Sequence, residues 1–260
     1  MEHIYLGISN DYKDLADVIK LNKSINELEG LIEIDIPVYQ DKQQTKLLIC
    51  SQLTNFMINT VKNKILKEVV DRSYRNTYLS EIDNIYKCSL DLFNNREKEI
   101  KQILFDRMYT YLSDNDYLNI NGFIKFRLRD FMDYIIELKD RGFEEYLIEK
   151  DYNEFINLLK YFVDVQEEKI DVLKLYIEKD GSFKLYDKND MNLEETYIED
   201  IFNIALKENM NEEDFLISSL ITLCPKQIYI QDNLENNVSK EIIQTINAIF
   251  EGRVTVGYRA

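Results

Sequence analysis

The sequence predicts an α+β protein that is predominantly helical. Three observations predict this class: short or alternating apolar runs in residues 1–52, helical spacing almost throughout 53–168, and β-rich runs after residue 169. We therefore expect a small N-terminal β-α-β-β unit, a helical middle layer, and a C-terminal α/β unit with a hairpin and parallel strands. At 260 residues, the three parts are able to pack as one compact domain.

The N-terminal unit is predicted from four segments. HIYLGI at 3–8 and LIEIDIPVY at 31–39 are typical of strands, and KLLICSQ at 46–52 suggests a hairpin partner for the second. Between them, residues 11–29 show a helical period that Gly30 would end. The apolar residues of that period are Leu15, Val18, Ile19, Ile25 and Leu28.

The middle of the chain keeps helical spacing from Leu53 to Gln166. We expect breaks at RSYRN (72–76), at Asn94-Asn95 and at SDNDYLNING (113–122). The segment 53–168 is therefore predicted to be a helical layer or bundle.

The C-terminal unit opens with a hairpin, because Asp180-Gly181 separates two β-rich runs. A helix is predicted over 195–208, and Asn211 is a predicted N-cap for a second helix that Pro225 closes. KQIYIQD at 226–232 is predicted to be a strand.

The chain is predicted to end with a helix and a strand. Ser239 is expected to cap the helix, Gly252 to end it, and RVTVGY at 253–258 to form the strand. A strand, helix and strand in succession predict two parallel strands joined by a right-handed crossover.

Composition limits the classes of function. The 32 basic and 48 acidic residues give a net charge of −16, which repels phosphate backbones and anionic lipid heads. No run approaches the about 18 apolar residues of a membrane helix, and the N-terminus lacks a basic export region. We expect a cytoplasmic protein with no nucleic-acid or membrane partner.

Metal and histidine-based chemistry find little support. The chain has three cysteines, Cys50, Cys88 and Cys224, which is an odd number and includes no CxxC pair. His3 is the single histidine that could bind a metal with them. Buried free thiols are therefore expected. No nucleophile elbow, phosphate-binding loop or zinc motif occurs. We therefore predict no catalytic residue, no metal and no cofactor.

Two acidic segments have structural interpretations. DKNDMNLEE at 187–195 fails as a calcium loop, because Met191 stands at its fifth position and its sixth is not glycine, so a polar loop is expected. Glu212, Glu213 and Asp214 suit the first turn of a helix better than catalysis.

The candidate interaction residues are Lys125, Arg127 and Arg129, which interrupt the apolar stretch GFIKFRLRDF. We expect one continuous helix over 123–140, since its apolar residues recur at helical spacing. These residues are Ile124, Leu128, Phe131 and Ile135.

Two helical ion pairs are expected to neutralise part of this basic face, Arg127 with Asp130 and Arg129 with Asp133. A solvated or internally paired face ranks first among the interpretations. A docking patch for an acidic or phosphorylated partner ranks second, and nucleic acid third.

Three segments carry a family resemblance: FIKFRLRDF at 123–131, EKDYNEFINLLKYFVDVQEEKID at 149–171, and EDFLISSLITLCPKQIYI at 213–230. Together they resemble the YtxC-like family, which is assigned to sporulation in endospore-forming Firmicutes. The resemblance is strongest over residues 120–260. It implies a cytoplasmic protein of the sporulating cell and transfers no catalytic or binding residue.

Two functions follow as hypotheses. The first is a non-catalytic, sporulation-associated protein that binds another protein, with its oligomeric state left open. The alternative is an enzyme or small-molecule-binding protein whose site lies at the C-terminal ends of the parallel strands, near Gln231 and Asp232. A plain polar loop is the simpler interpretation of that segment.

Overall fold

The computed structural model describes residues 2–28, 30–39, 41–193 and 211–257. The chain divides into two units, Met1–Ile148 and Glu149–Ala260. Helices dominate, with one small sheet in each unit, so the predicted α+β, predominantly helical class is confirmed. The three-part division at residues 52 and 168 stays a prediction.

The N-terminal unit contains a four-stranded sheet. Its strands are β1 (Glu2–Ser9), β2 (Ser24–Leu28), β3 (Leu31–Val38) and β4 (Tyr117–Asn119), in the order β2-β3-β1-β4. β3 runs antiparallel to β1 and β2, and β4 runs parallel to β1. The alternating isoleucines of β3 are buried, as the sequence predicts.

Helices cover this sheet and complete the core of the unit. They are α1 (Leu15–Val18), α2 (Lys42–Thr60), α3 (Lys67–Tyr78), α4 (Ile82–Asn95), α5 (Glu97–Asp114) and α6 (Ile120–Arg127). A 3-10 turn, Asn10–Tyr12, precedes α1, and a π-helical turn, Val61–Leu66, joins α2 to α3. Helix α7 (Arg129–Val165) begins in this unit, and its residues from 149 onward belong to the second.

The first unit begins with β1, α1, β2 and β3, but two of the predicted segments are wrong. The helix predicted over 11–29 is wrong beyond Val18, because Ser24–Leu28 forms β2, whose hairpin with β3 turns at Gly30 (φ +77°). KLLICSQ is not a strand but lies inside α2. Asp41 starts that helix, since its carboxylate accepts from the N–H groups of Gln43 and Gln44.

Three predicted breaks in the helical middle have different outcomes. The break at 72–76 is wrong, because α3 continues to Tyr78. The break at Asn94-Asn95 is confirmed by the end of α4. The segment 113–122 breaks the helical pattern as predicted and also contains β4, a strand that sequence reasoning missed.

The second unit contains a separate four-stranded sheet. Its strands are β5 (Ile170–Ile177), β6 (Phe183–Tyr186), β7 (Pro225–Asp232) and β8 (Val254–Gly257), in the order β6-β5-β7-β8. β5 and β6 form the predicted hairpin, and Gly181 has a φ of +90° in its turn. β7 is parallel to both β5 and β8, which confirms the predicted parallel arrangement.

Helices α8 (Glu212–Leu223) and α9 (Asn237–Ile249) belong to this unit. Asn211 caps α8 as predicted, because its side chain accepts from the N–H of Asp214. Ser239 is not the N-cap of α9: Asn236 is, and the Ser239 hydroxyl completes a capping box from the third helical position. The helix predicted over 195–208 lies outside the described residues.

Each unit has its own apolar core. In the second, β5 and β7 contribute buried residues to the same cluster as Ile156 and Val163 of α7 and Ile246 of α9. None of the helices in the described ranges is both long and apolar enough to cross a membrane.

None of the three cysteines forms a disulfide in the part of the chain that the structure describes. Cys50 and Cys224 are buried, and Cys88 is half-buried. Burial raises the pKa of the Cys50 thiol to about 12, so this thiol stays protonated and weakly nucleophilic at neutral pH.

Candidate functional site

Helix α6 is held firmly at its N-terminus. Asn119, the last residue of β4, caps it by accepting from the N–H of Gly122 at 2.8 Å. Asn121 bonds the end of β1 twice, because its amide oxygen accepts from the Ser9 N–H and its amide nitrogen donates to the Ser9 hydroxyl. The sheet thus fixes where α6 begins.

The helix ends earlier than predicted. Leu128 is fully buried and has φ −117° and ψ 25°, which are not helical, so the single helix expected over 123–140 is two helices, α6 and α7. The predicted apolar stripe is nevertheless buried, since Leu128, Phe131 and Ile135 belong to the core and Ile124 packs against it.

Four residues around this break form an exposed basic and aromatic surface, which we call the α6 surface: Lys125, Phe126, Arg127 and Arg129. The Phe126 side chain is 75% exposed. The Lys125 ammonium lies 5.5 Å from its ring centroid, and the Arg127 guanidinium lies 5.3 Å from the ring centroid of Tyr111 on α5. The structure thus leaves all three predicted interaction residues exposed.

The two ion pairs predicted for this face are wrong. Asp130 pairs with Arg107 of α5, with nitrogen–oxygen distances of 2.6 Å and 2.5 Å, and this contact lowers the pKa of the Asp130 carboxyl to about 2. Within the described part of the chain, Lys125, Arg127 and Arg129 form no ion pair within 4.0 Å.

A groove of about 480 Å³ lies between α5 and α6, beside the α6 surface. Arg107, Tyr111, Phe123 and Arg127 line it with polar residues of α5. We call it the α5–α6 groove. Sequence reasoning missed Arg107 and Tyr111, although their i, i+4 spacing on α5 was a signal that both face one side of that helix.

The alternative site, at the end of β7, is occupied by local hydrogen bonds. The Asp232 carboxylate accepts from the N–H groups of Leu234 and Glu235 and from the Ser239 hydroxyl. The Gln231 amide donates to the side chain of Asn233 at 3.3 Å. These contacts support the polar-loop interpretation of this segment.

These contacts predict a pH-dependent contribution to stability. Burial alone would raise the pKa of Asp232, but the Glu235 N–H, Ser239 hydroxyl and Leu234 N–H bonds together lower it. The contribution is therefore present above the unfolded pKa of about 3.9 and is lost as pH falls through the folded value. We expect Asp232→Asn to destabilise the protein by about 1 to 2 kcal/mol at pH 7.

Urea denaturation from pH 7 to pH 3 checks this expectation. The difference between wild type and Asp232→Asn should shrink below about pH 4. Asp151→Asn, at an exposed carboxylate of α7, is the matched control and should show no such trend. A constant difference across the series would contradict the assignment.

The two acidic segments behave as structural elements. The Asp187 carboxylate accepts from the N–H groups of Asn189 and Met191, and Lys174 pairs with Asp190 at 2.6 Å. Glu213 and Asp214 are exposed in the first turn of α8. No cluster of three His, Cys, Asp or Glu side chains placed to hold a metal occurs in the described ranges.

The fold and site define an α+β protein with a rigidly anchored, cation-bearing helix surface. The YtxC-like family matches residues 47–255, more than half of the chain, so the chain belongs to that family. The sequence resemblance was strongest over residues 120–260, and the family match extends further toward the N-terminus, to residue 47.

A relative from Bacillus subtilis (strain 168), named "Uncharacterized protein YtxC", is 22% identical over 213 residues. The alignment covers 78% of this chain and 73% of the relative. No solved structure matches the chain.

Proposed function

We propose that this chain is a non-catalytic, cytoplasmic protein of the sporulating cell that binds an acidic or phosphorylated segment of another protein through the α6 surface. The sporulation setting rests on membership of the YtxC-like family. The observation that supports the binding role is the α6 surface itself, where three exposed cations and an exposed phenylalanine fall within five residues and the cations have no ion-pair partner among the described residues.

The chemistry of the surface favours an acidic partner. Guanidinium groups present several donors in a fixed plane, which suits the oxygens of carboxylates and phosphates. The exposed ring of Phe126 adds apolar area that a partner would cover. Because the net charge of −16 repels extended polyanions, a short acidic segment suits the surface better than nucleic acid.

The position of Arg127 supports the same role. Its guanidinium lies over Tyr111, and its backbone oxygen accepts from Arg107 at 3.3 Å. A side chain already held in place loses less conformational entropy when a ligand binds. The adjoining α5–α6 groove offers space for a side chain of the partner.

The double substitution Arg127→Ala and Arg129→Ala tests the proposal. We expect it to weaken binding of a fluorescent phosphoserine- and glutamate-rich peptide at least tenfold, because charge-assisted hydrogen bonds contribute about 1.5 to 3 kcal/mol each. Fluorescence anisotropy at two salt concentrations measures this. Cross-linked capture from sporulating cells, with the same variant beside wild type, then shows whether a stoichiometric protein partner is lost.

The matched control is Lys87→Ala with Lys98→Ala, which removes two exposed cations elsewhere in the same unit. This control should bind the peptide like wild type, and all three proteins should have the same denaturation midpoint. Equal affinity of both double variants would refute the α6 surface as the binding site.

A further inference from the structure

The second unit carries a groove of about 680 Å³ between α7, α8 and α9. Its wall on α7 is aromatic, since Tyr152 and Phe155 line it and are 48% and 56% exposed. Ile217 and Ile221 of α8 line it from another side and are half-buried. We call it the unit 2 groove.

The exposed aromatic residues are not needed for the core of the unit. On α7 the core is supplied by Ile156 and Val163, which are buried, with Leu159 packed against them. The Tyr152 hydroxyl lies within hydrogen-bond distance of the Thr245 hydroxyl, at 3.0 Å, but the rings of Tyr152 and Phe155 stay about half exposed, and exposed apolar area contributes little to folding. Such area is typical of a surface that a partner covers.

The walls have the shape that receives a helix. Tyr152, Phe155 and Leu159 recur at i, i+3 and i+7 on α7, and Ile217 and Ile221 at i and i+4 on α8. These rows are helix ridges with a trough between them, into which the ridge of a third helix packs. An amphipathic helix in a hydrophobic groove is a recurrent mode of recognition.

The charge of the rim selects the kind of helix. Glu213, Asp214 and Glu241 are exposed at the rim, and no lysine or arginine is among the described residues that line the groove. None of the three carboxylates forms an ion pair within the described ranges. An apolar stripe flanked by lysine or arginine is therefore the complementary ligand.

The same charges disfavour occupants from this chain. A two-fold dimer through the groove would bring the acidic rims of two copies into one interface, where their carboxylates repel each other. Residues 194–210 carry five acidic residues and one lysine, so they are not complementary to the rim.

We propose that the unit 2 groove binds a basic amphipathic helix of another protein, with its apolar stripe against Tyr152, Phe155 and Ile217 and its cations against Glu213, Asp214 and Glu241. This site is separate from the α6 surface, lies in the other unit, and takes a ligand of opposite charge. Loss of binding at one of the two sites is therefore not expected to change binding at the other.

Two fluorescent peptides test the proposal against the full chain. Both have the same leucines at i, i+4, i+7 and i+11, flanked by lysine in one and by glutamine in the other. By fluorescence anisotropy, the lysine peptide should bind with micromolar affinity and at least tenfold more tightly than the glutamine peptide. Failure of the lysine peptide to bind, or equal affinity of both, would overturn the proposal.

Substitutions then separate the two parts of the site. Glu213→Lys with Glu241→Lys should remove the preference for the lysine peptide and leave the glutamine peptide within about twofold. Phe155→Ala should weaken both peptides. Since these three side chains are exposed, the variants should stay folded, and the loss of Glu213 from the first turn of α8 should lower the free energy of unfolding by less than about 1 kcal/mol.

The matched control is Glu154→Lys with Glu167→Lys, which makes the same change in net charge at exposed residues that do not line the groove. It should preserve the preference. If it removes the preference as fully as the rim variant, the attraction belongs to the whole acidic chain and the proposal fails. Sedimentation velocity that shows self-association lost in Phe155→Ala would assign the groove to a second copy and also overturn it.

Discussion

Gly142→Ala is expected to destabilise the protein by about 3 kcal/mol. Gly142 lies in α7, where a Cβ would stand 2.1 Å from the Ser89 hydroxyl oxygen and 2.6 Å from its Cα. The Cα belongs to the backbone of α4 and cannot rotate away. The better helix propensity of alanine, worth about 1 kcal/mol, offsets only part of the clash.

Gly122→Ala is the matched control, because Gly122 also lies in a helix. There the added Cβ would be 3.4 Å from the Asn119 side chain, an ordinary contact, so the change should be neutral or stabilising by up to about 1 kcal/mol. Urea denaturation followed by circular dichroism compares the two. Equal midpoints for both variants would show that α4 and α7 approach less closely than described.

Leu128→Ala is expected to cost about 2 to 5 kcal/mol, the range for emptying a buried leucine site. Leu128 is fully buried at the break between α6 and α7, where it lines a small apolar cavity together with Phe56 and Ile124. Both helices that flank it depend on this anchor. We therefore also expect that Leu128→Ala speeds hydrogen exchange, relative to wild type, more in α6 than in α4.

Leu48→Ala, at an exposed leucine of α2, controls for the chemistry of the substitution and should change the free energy of unfolding by less than about 0.5 kcal/mol. Denaturation midpoints and exchange mass spectrometry measure both variants. If Leu128→Ala leaves α6 as protected as in wild type, the break does not hold the α6 surface in place.

The C-terminal unit was predicted well because its turns have distinctive residues. Asp180-Gly181 marks a hairpin on its own, and Asn211 places the start of α8. Ser239 was predicted to be the N-cap of α9, but it is the third helical residue of a capping box whose N-cap is Asn236. Local chemistry determines these elements, so a single sequence reveals them.

The N-terminal errors arise where local pattern and tertiary pairing disagree. Ile25 and Leu28 fit a helical period, yet they lie in β2 because β3 offers a partner, and Ile25 pairs with Ile34. KLLICSQ is a short apolar run, which periodicity alone cannot assign to strand or helix. β4 has three residues, too few for any pattern.

Sequence reasoning named three candidate interaction residues, which stay a prediction, and it did not find the contacts around them. Lys125, Arg127 and Arg129 stand out from sequence because cations interrupt an apolar run. The stack of Arg127 on Tyr111 and the pair of Arg107 with Asp130 join α5 to the segment around the break. Such contacts depend on how two helices cross, and a single sequence does not show that crossing. They occur in place of the ion pairs that were expected within one helix, Arg127 with Asp130 and Arg129 with Asp133.

The bonds between Ser9 and Asn121 join residues 112 positions apart, and they lie beside the pairing of β1 with β4. At about 5 to 20 residues per second, a ribosome needs roughly 5 to 20 seconds to make the intervening chain. During that time one edge of β1 has no strand beside it, and an open edge is a template for aggregation. A nascent chain stalled before Tyr117 would therefore leave this edge of its first strand unpaired.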